Sequence, residues 1–259
     1  MGEKTRVRKW DWPKICFWTV FISLVSAIAY IVVVMIIAPW LSGPSVPHQR
    51  MGSDYVLMLA QCVFGVVILM LPSLLERRWH IEIPSFMFIL FTVFLFCAIF
   101  LGEVRAFYTN VPHWDTILHV FSGAMLGALG FCLISVLNQS ETVPMVVSPL
   151  FVAVFAFCFA QALGIVWELY EYIVDGLMGT NMQWYKTSDG TPLLGRDALG
   201  DTMKDFTVNS IGALVVSVIG YLSLKNKRGL LSKIQLRKKK PKDMGKAGEK
   251  DGNVRGMGD

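Results

Sequence analysis

An all-α, polytopic transmembrane bundle of six spans is the fold class this sequence predicts, and three observations carry it. Only 17% of the 259 residues are charged, against about a quarter in an ordinary soluble domain. Long apolar runs recur along the chain, the first being Ile15 to Ala38, 24 residues without a charge. At ~1.5 Å per residue such a run is ~36 Å of helix, enough to cross a ~30 Å hydrocarbon core with some tilt. The positive charge is also segregated. Residues 225–259 carry 12 Lys and Arg against 4 Asp and Glu, while residues 1–224 carry 12 against 15.

The elements follow in order. Residues 1–14 form a basic N-terminus and residues 15–224 a six-span membrane domain. The spans are Ile15–Ala38, Tyr55–Leu75, Pro84–Leu101, Thr116–Leu137, Met145–Val166 (continuing as helix to Asp175) and about Asp205–Leu224. The first has no A-x-A-like site before Pro39 and is expected to stay as an anchor. Residues 225–259 read as a basic, disordered tail whose cluster Arg237–Lys240 and Lys242 suits anionic lipid headgroups. No pattern calls for a specific nucleic-acid partner, and an oligomer is compatible with the chain.

Counting Lys and Arg on alternate sides sets the orientation. With the N-terminus cytoplasmic, 19 positive residues lie inside and five outside, so the positive-inside rule places both termini in the cytoplasm. The connection 176–204 is then outer and, at about 30 residues, long enough for a lid or partner surface.

On this topology the ionisable residues of four helix ends converge on the outer face. The third span ends at Glu103 and Arg105, spaced for an interfacial ion pair. The fourth begins with Asp115 and His119, an i,i+4 pair on one helix face. The fifth leaves through Glu168, Glu171 and Asp175, again one stripe. The sixth enters past Asp201, Lys204 and Asp205, with Asn209 one turn deeper.

Charges inside an apolar span are costly, so Glu168 and His119 are expected to face the bundle interior with partners. A His with several carboxylates is a ligand set for a divalent metal ion. The candidate metal ligands are His119, Glu168, Glu171, Asp201 and Asp205. Glu168, His119 and Asp115 are the candidate catalytic groups, and Arg105 and Lys204 candidate phosphate contacts. Each also has a plain structural role: helix capping for Asp201, Asp205 and Asn209, an interhelical hydrogen bond for Asp115 and His119. Gly123-x-x-x-Gly127, then Gly130, form a small-residue face in span four, and Ser210 with Gly212-Ala213 forms another in span six. These two spans are expected to pack together around the cluster.

The five cysteines each stand alone in an apolar run and read as packing residues. No Walker loop, H-E-x-x-H, G-x-S-x-G or zinc-type cysteine pair occurs, which leaves the familiar ATPase, zincin and hydrolase classes without support.

At these residues the chain resembles the YjdF-like family of bacterial inner-membrane proteins. The resemblance rests on Asp115-x-x-x-His119 with Gly123, Trp167-Glu168-x-Tyr170-Glu171, and Asp201-x-x-Lys204-Asp205-x-x-x-Asn209. The same order of motifs is similar to the broader VanZ-like pattern, a family linked to teicoplanin-type glycopeptide resistance. The chain has Thr116 where that pattern often has Lys, and Glu168-x-x-Glu171 where it has E-x-x-Q. The resemblance implies a multi-pass protein of the bacterial cytoplasmic membrane. The functional expectation is an outward-facing acidic–His site that binds a divalent metal and a polar lipid or lipid-linked envelope precursor. The alternatives are an ion-coupled transporter and a non-catalytic structural or regulatory subunit of a membrane complex.

Overall fold

The computed structural model describes residues 11–41, 52–79, 81–138, 147–187, 189–226 and 237–238. The sequence expectations for residues 1–10, the loop 139–146 and most of the tail lie outside the described residues. In chain order the elements are α1 (Trp12–Leu41), α2 (Gly52–Trp79), β1 (Ile81–Glu82), α3 (Ser85–Leu95), α4 (Phe107–Asn110), α5 (Trp114–Asn138), α6 (Pro149–Met178), α7 (Gly200–Lys225) and β2 (Arg237–Lys238). Among the described residues, six helices are long and apolar enough to cross a membrane.

Helix ends follow local chemistry. Pro149 occupies the first turn of α6, where its missing N–H costs nothing, and the Ser148 hydroxyl accepts the amide of Phe151 at 3.2 Å. The helix therefore starts at Pro149 rather than near Met145. At its other end Gly179 takes the left-handed conformation (φ 69°) and donates its amide to the Asp175 carbonyl at 2.9 Å, a glycine stop. α7 starts at Gly200, a turn earlier than hydropathy places it. Its polar first turn is helical all the same, and Lys204 bonds back to Asp201 across i,i+3 at 2.7 Å.

α3 continues without a break as a π-helix over Phe96–Val104, closed by the bond from the Arg105 amide to the Phe100 carbonyl at 2.9 Å. Apolar patterning gives no sign of this wider turn. Such turns leave carbonyls free and concentrate at functional sites. Here the Trp114 indole donates to the Cys97 carbonyl at 3.3 Å.

The six helices form two groups of three. α1, α2 and α3 bury Leu24, Ile31, Cys62, Leu69 and Leu95 between them. α5, α6 and α7 bury Phe131, Ile134, Val152, Ala153 and Ala156. The outward faces expose Ile22, Val67, Leu74, Val154 and Ile211, a surface matched to lipid and not to water.

α5 and α7 share the most extensive helix–helix interface. Small residues permit it: a methyl group built on Gly212 would overlap the Val120 carbonyl, and one on Gly123 the Asn209 carbonyl. Gly130 likewise lets α6 approach, with Ala156 Cα 2.7 Å from where its Cβ would stand. Spans four and six thus pack as their small-residue faces predict. All five cysteines are free thiols, and Cys62 and Cys132 are buried.

Arg237–Lys238 pairs antiparallel with Ile81–Glu82. The turn it joins is itself held, since the Glu76 carboxylate accepts the Ile83 amide at 2.7 Å.

Candidate functional site

Three helix ends of the α5–α6–α7 group build the site. Asp115 stands in the first turn of α5 and Asp201 in the first turn of α7, where a carboxylate favours the positive end of the helix dipole. Asp205 follows one turn deeper and is only 2% exposed. Glu168 and Glu171 lie on α6 at 4% and 7% exposure, near the negative end of that helix, where the dipole does not help them. Their burial must be supported by neighbours.

Asp115, His119 and Asp205 each turn one ligand atom toward a common point, all within 4.8 Å of one another. His119 Nε2 stands 3.4 Å from Asp115 Oδ1 and 4.0 Å from Asp205 Oδ2. Lys204 caps the group from the rim, 2.7 Å from Asp201 Oδ1, 3.6 Å from Asp115 Oδ2 and 3.7 Å from Asp205 Oδ1. Glu168 lies within electrostatic reach of His119 and Asp201, and Glu171 of Glu168, Asp115 and Asp205. Five carboxylates therefore face one lysine and one histidine. A buried excess of negative charge persists only with a cation or shared protons to relieve it.

Three buried carboxylate oxygens, Asp115 Oδ2, Glu168 Oε2 and Asp205 Oδ1, have no hydrogen-bond partner among the described residues. Such atoms are expensive to bury unless a ligand takes them. The donor set is one imidazole and several carboxylates. It suits Mg²⁺, Mn²⁺, Fe²⁺, Ca²⁺ or Zn²⁺, whose ligands sit ~2–2.6 Å from the ion. The observed spacings need only modest tightening to reach that geometry.

Other sequence-predicted residues go elsewhere. Glu103 turns toward the first group of helices, and Gln61 Nε2 donates to its Oε1 at 3.2 Å. Arg105 is exposed. Asn209 is buried deeper than the acid group, wedged between Gly123 of α5 and Gly164 of α6. It donates to Gln161 Oε1 at 3.5 Å, and Ser210 donates to the same oxygen at 3.1 Å. It joins the three helices below the site. Glu171 accepts the Trp167 indole at 2.9 Å, so that tryptophan serves the site rather than an interfacial belt alone. His113 is exposed in a turn, and Asp197 is exposed.

The connection after α6 is an ordered structure organised by Asp175. Its Oδ1 accepts the Thr180 hydroxyl at 2.6 Å and the Met182 amide at 2.8 Å, and its Oδ2 the Gln183 amide at 2.9 Å. Gln183 Nε2 then reaches Thr202 Oγ1 at 3.0 Å, tying the loop to the first turn of α7 beside the cluster.

Residues 20–226 match the family described as "Predicted membrane protein (DUF2238)". The chain belongs to this family. The match spans all the residues of the acid group and ends at the start of the basic tail. An uncharacterized protein of Thermotoga maritima is 24% identical to this DUF2238 protein over 151 residues, 58% of this chain and 69% of the relative. No solved structure matches the chain.

Gln161, Gln183 and Thr202 are the polar partners that sequence reading of this DUF2238 protein passes over. Nothing in their spacing distinguishes them from ordinary polar residues; helix packing brings Gln161 to Asn209 below the site, and the loop held by Asp175 brings Gln183 to Thr202 beside it.

Proposed function

We propose that this DUF2238 protein binds a divalent cation at Asp115, His119 and Asp205, with Glu168 and Glu171 as further acidic ligands or bases. The cation would hold the polar headgroup of a lipid or a lipid-linked envelope precursor at the membrane surface. The observation that carries the reading is the nearly inaccessible Asp205 carboxylate. Its Oδ2 faces His119 of another helix at 4.0 Å, while its Oδ1 has no hydrogen-bond partner among the described residues and meets only the rim ammonium of Lys204 at 3.7 Å. A merely structural buried acid would have its oxygens hydrogen-bonded. Lys204 at the rim supplies a positive contact for a phosphate.

The proposed setting is the bacterial cytoplasmic membrane, with both termini inside and the site facing outward. The order of acid, His, Glu and Asn motifs supports a YjdF-like and, more distantly, VanZ-like architecture. The basic tail would rest on anionic lipid.

Elemental analysis tests the cation reading. Protein purified gently in detergent and loaded with Mn²⁺ is expected to hold about one equivalent in the wild type. His119→Ala and Asp205→Asn should hold far less. Losing a residue that orients a metal ligand typically costs 10–100-fold in metal affinity, and loss of a direct ligand should cost at least that. A wild type that binds no Mn²⁺ or Mg²⁺ at millimolar concentration refutes the reading.

A further inference from the structure

A half-buried phenol lies within electrostatic reach of the acid group, and an unusual stretch of backbone puts it there. The π-helix ends at Val104, and the chain turns through Ala106 with φ 58°. It forms the single helical turn Phe107–Asn110, then reverses again through His113 with φ 61°. Left-handed conformations at non-glycine residues are uncommon and persist where surrounding contacts impose them. Those contacts are present. The Trp114 indole takes the Cys97 carbonyl on the π-helix, and the Phe107 ring meets Trp114 edge-on with centroids 5.0 Å apart.

The residue this bracing delivers is Tyr108. Its ring lies so close over Gly102 that a methyl group there would stand 2.9 Å from Cδ2 and Cζ and nearer still to Cε2. The hydroxyl is within electrostatic reach of Glu103, Asp115, Glu171 and Asp205. It thus sits where the two helix groups meet. Among the described residues no hydrogen bond occupies that hydroxyl, so its proton is available to a ligand. Burial of the phenol first, and then those four carboxylates, raise its pKa well above the ordinary tyrosine value. The group stays protonated, a donor at any physiological pH.

We propose that Tyr108 is a ligand-binding residue of the cation site, donating its phenolic hydrogen to an oxygen of a phosphate group held on the cation. This rests on the cation reading above. A carboxylate-rich pocket repels an oxyanion unless a cation and neutral or positive donors face it. Lys204 at the rim and the Tyr108 phenol, within electrostatic reach of the same carboxylates, are the donors available to it. The phosphate would come either from a lipid headgroup or from free phosphate, since both present the same oxygens.

The test uses the full chain in phosphatidylcholine nanodiscs, with Mn²⁺ titrated by electron paramagnetic resonance. Mn²⁺-enhanced ³¹P relaxation then reports inorganic phosphate and short-chain phosphatidic acid. Tyr108→Phe should keep the wild-type Mn²⁺ affinity within twofold and lose about tenfold in phosphate affinity, the scale of one hydrogen bond to a charged group. Gly102→Ala, which keeps the phenol but displaces the ring, should show a loss in the same direction. Tighter binding of phosphatidic acid marks the headgroup as the source, and equal binding marks free phosphate; either supports the proposal. A phosphate loss under threefold in Tyr108→Phe overturns it, as does a Mn²⁺-loaded wild type that leaves ³¹P relaxation unchanged. Absence of Mn²⁺ binding in the wild type is the separate result that fails the cation reading itself, and it takes this proposal with it.

Discussion

Gly123 and Gly127 are one turn apart on the same helix and look alike in sequence, yet alanine at the two positions should act in opposite directions. A methyl group on Gly123 would overlap the carbonyl oxygen of Asn209 and lie 2.8 Å from its Oδ1. Both are held by α7, so the helices must separate by roughly half an ångström to an ångström to restore contact. Overpacking of this kind costs about 1–3 kcal/mol. The methyl on Gly127 would meet the Ala213 carbonyl at 3.5 Å and Val216 at 3.6 Å, which is ordinary contact. There alanine recovers about 0.5–1 kcal/mol of helix propensity. The expected difference between the variants is therefore about 1.5–4 kcal/mol, with Gly127→Ala at or above the wild type. Denaturant titration in detergent micelles, followed by tryptophan fluorescence, measures it. Separation of α5 and α7 would also lengthen the 4.0 Å approach of His119 to Asp205, so Gly123→Ala should bind Mn²⁺ more weakly. A Gly123→Ala protein as stable as Gly127→Ala would refute the reasoning, because the close approach at Asn209 would then not exist.

Two predictions concern the connection between α6 and α7, and they add to those for cation and phosphate binding. Asp175→Ala removes the acceptor of three hydrogen bonds. Each bond to a charged acceptor contributes about 1.5–3 kcal/mol in favourable cases, so the loop should open first. Limited proteolysis within 180–196 should then run at least tenfold faster, while the helices persist by circular dichroism. Asp189, exposed at the loop tip, is held below the ordinary aspartate value of 3.8 by the Thr187 hydroxyl, the Thr191 amide and the Thr191 hydroxyl. A carboxylate with a lowered folded-state pKa stabilises its turn above the unfolded value and loses that effect as pH falls through the folded one. A ¹³C carboxyl titration should place its midpoint below 3.8, and Thr187→Ala should raise it. A wild-type midpoint at or above 3.8 would show that these bonds do not hold the turn in solution.

What the amino-acid order determined by itself was the six-helix membrane architecture and which helix ends carry the polar residues. Apolar runs long enough to span a bilayer number the helices, because uncompensated polar backbone and charge are excluded from hydrocarbon. Helical spacing then puts Asp115 beside His119, and Glu168 beside Glu171, without any knowledge of neighbours. The small residues of spans four and six even indicated which helices meet. What tertiary structure alone decided was which of these polar residues touch. Glu103 and Asp115 stand at comparable helix ends, yet Glu103 turns to Gln61 in one helix group and Asp115 to His119 and Lys204 in the other. Periodicity defines a face on each helix but neither its rotation toward a partner nor its depth along the axis. An ångström or two in either sets whether two side chains pair. The same limit hid Tyr108: its place over Gly102 comes from a π-helical turn and two left-handed residues. Apolar patterning is blind to both, because the side chains it counts are the same in either backbone.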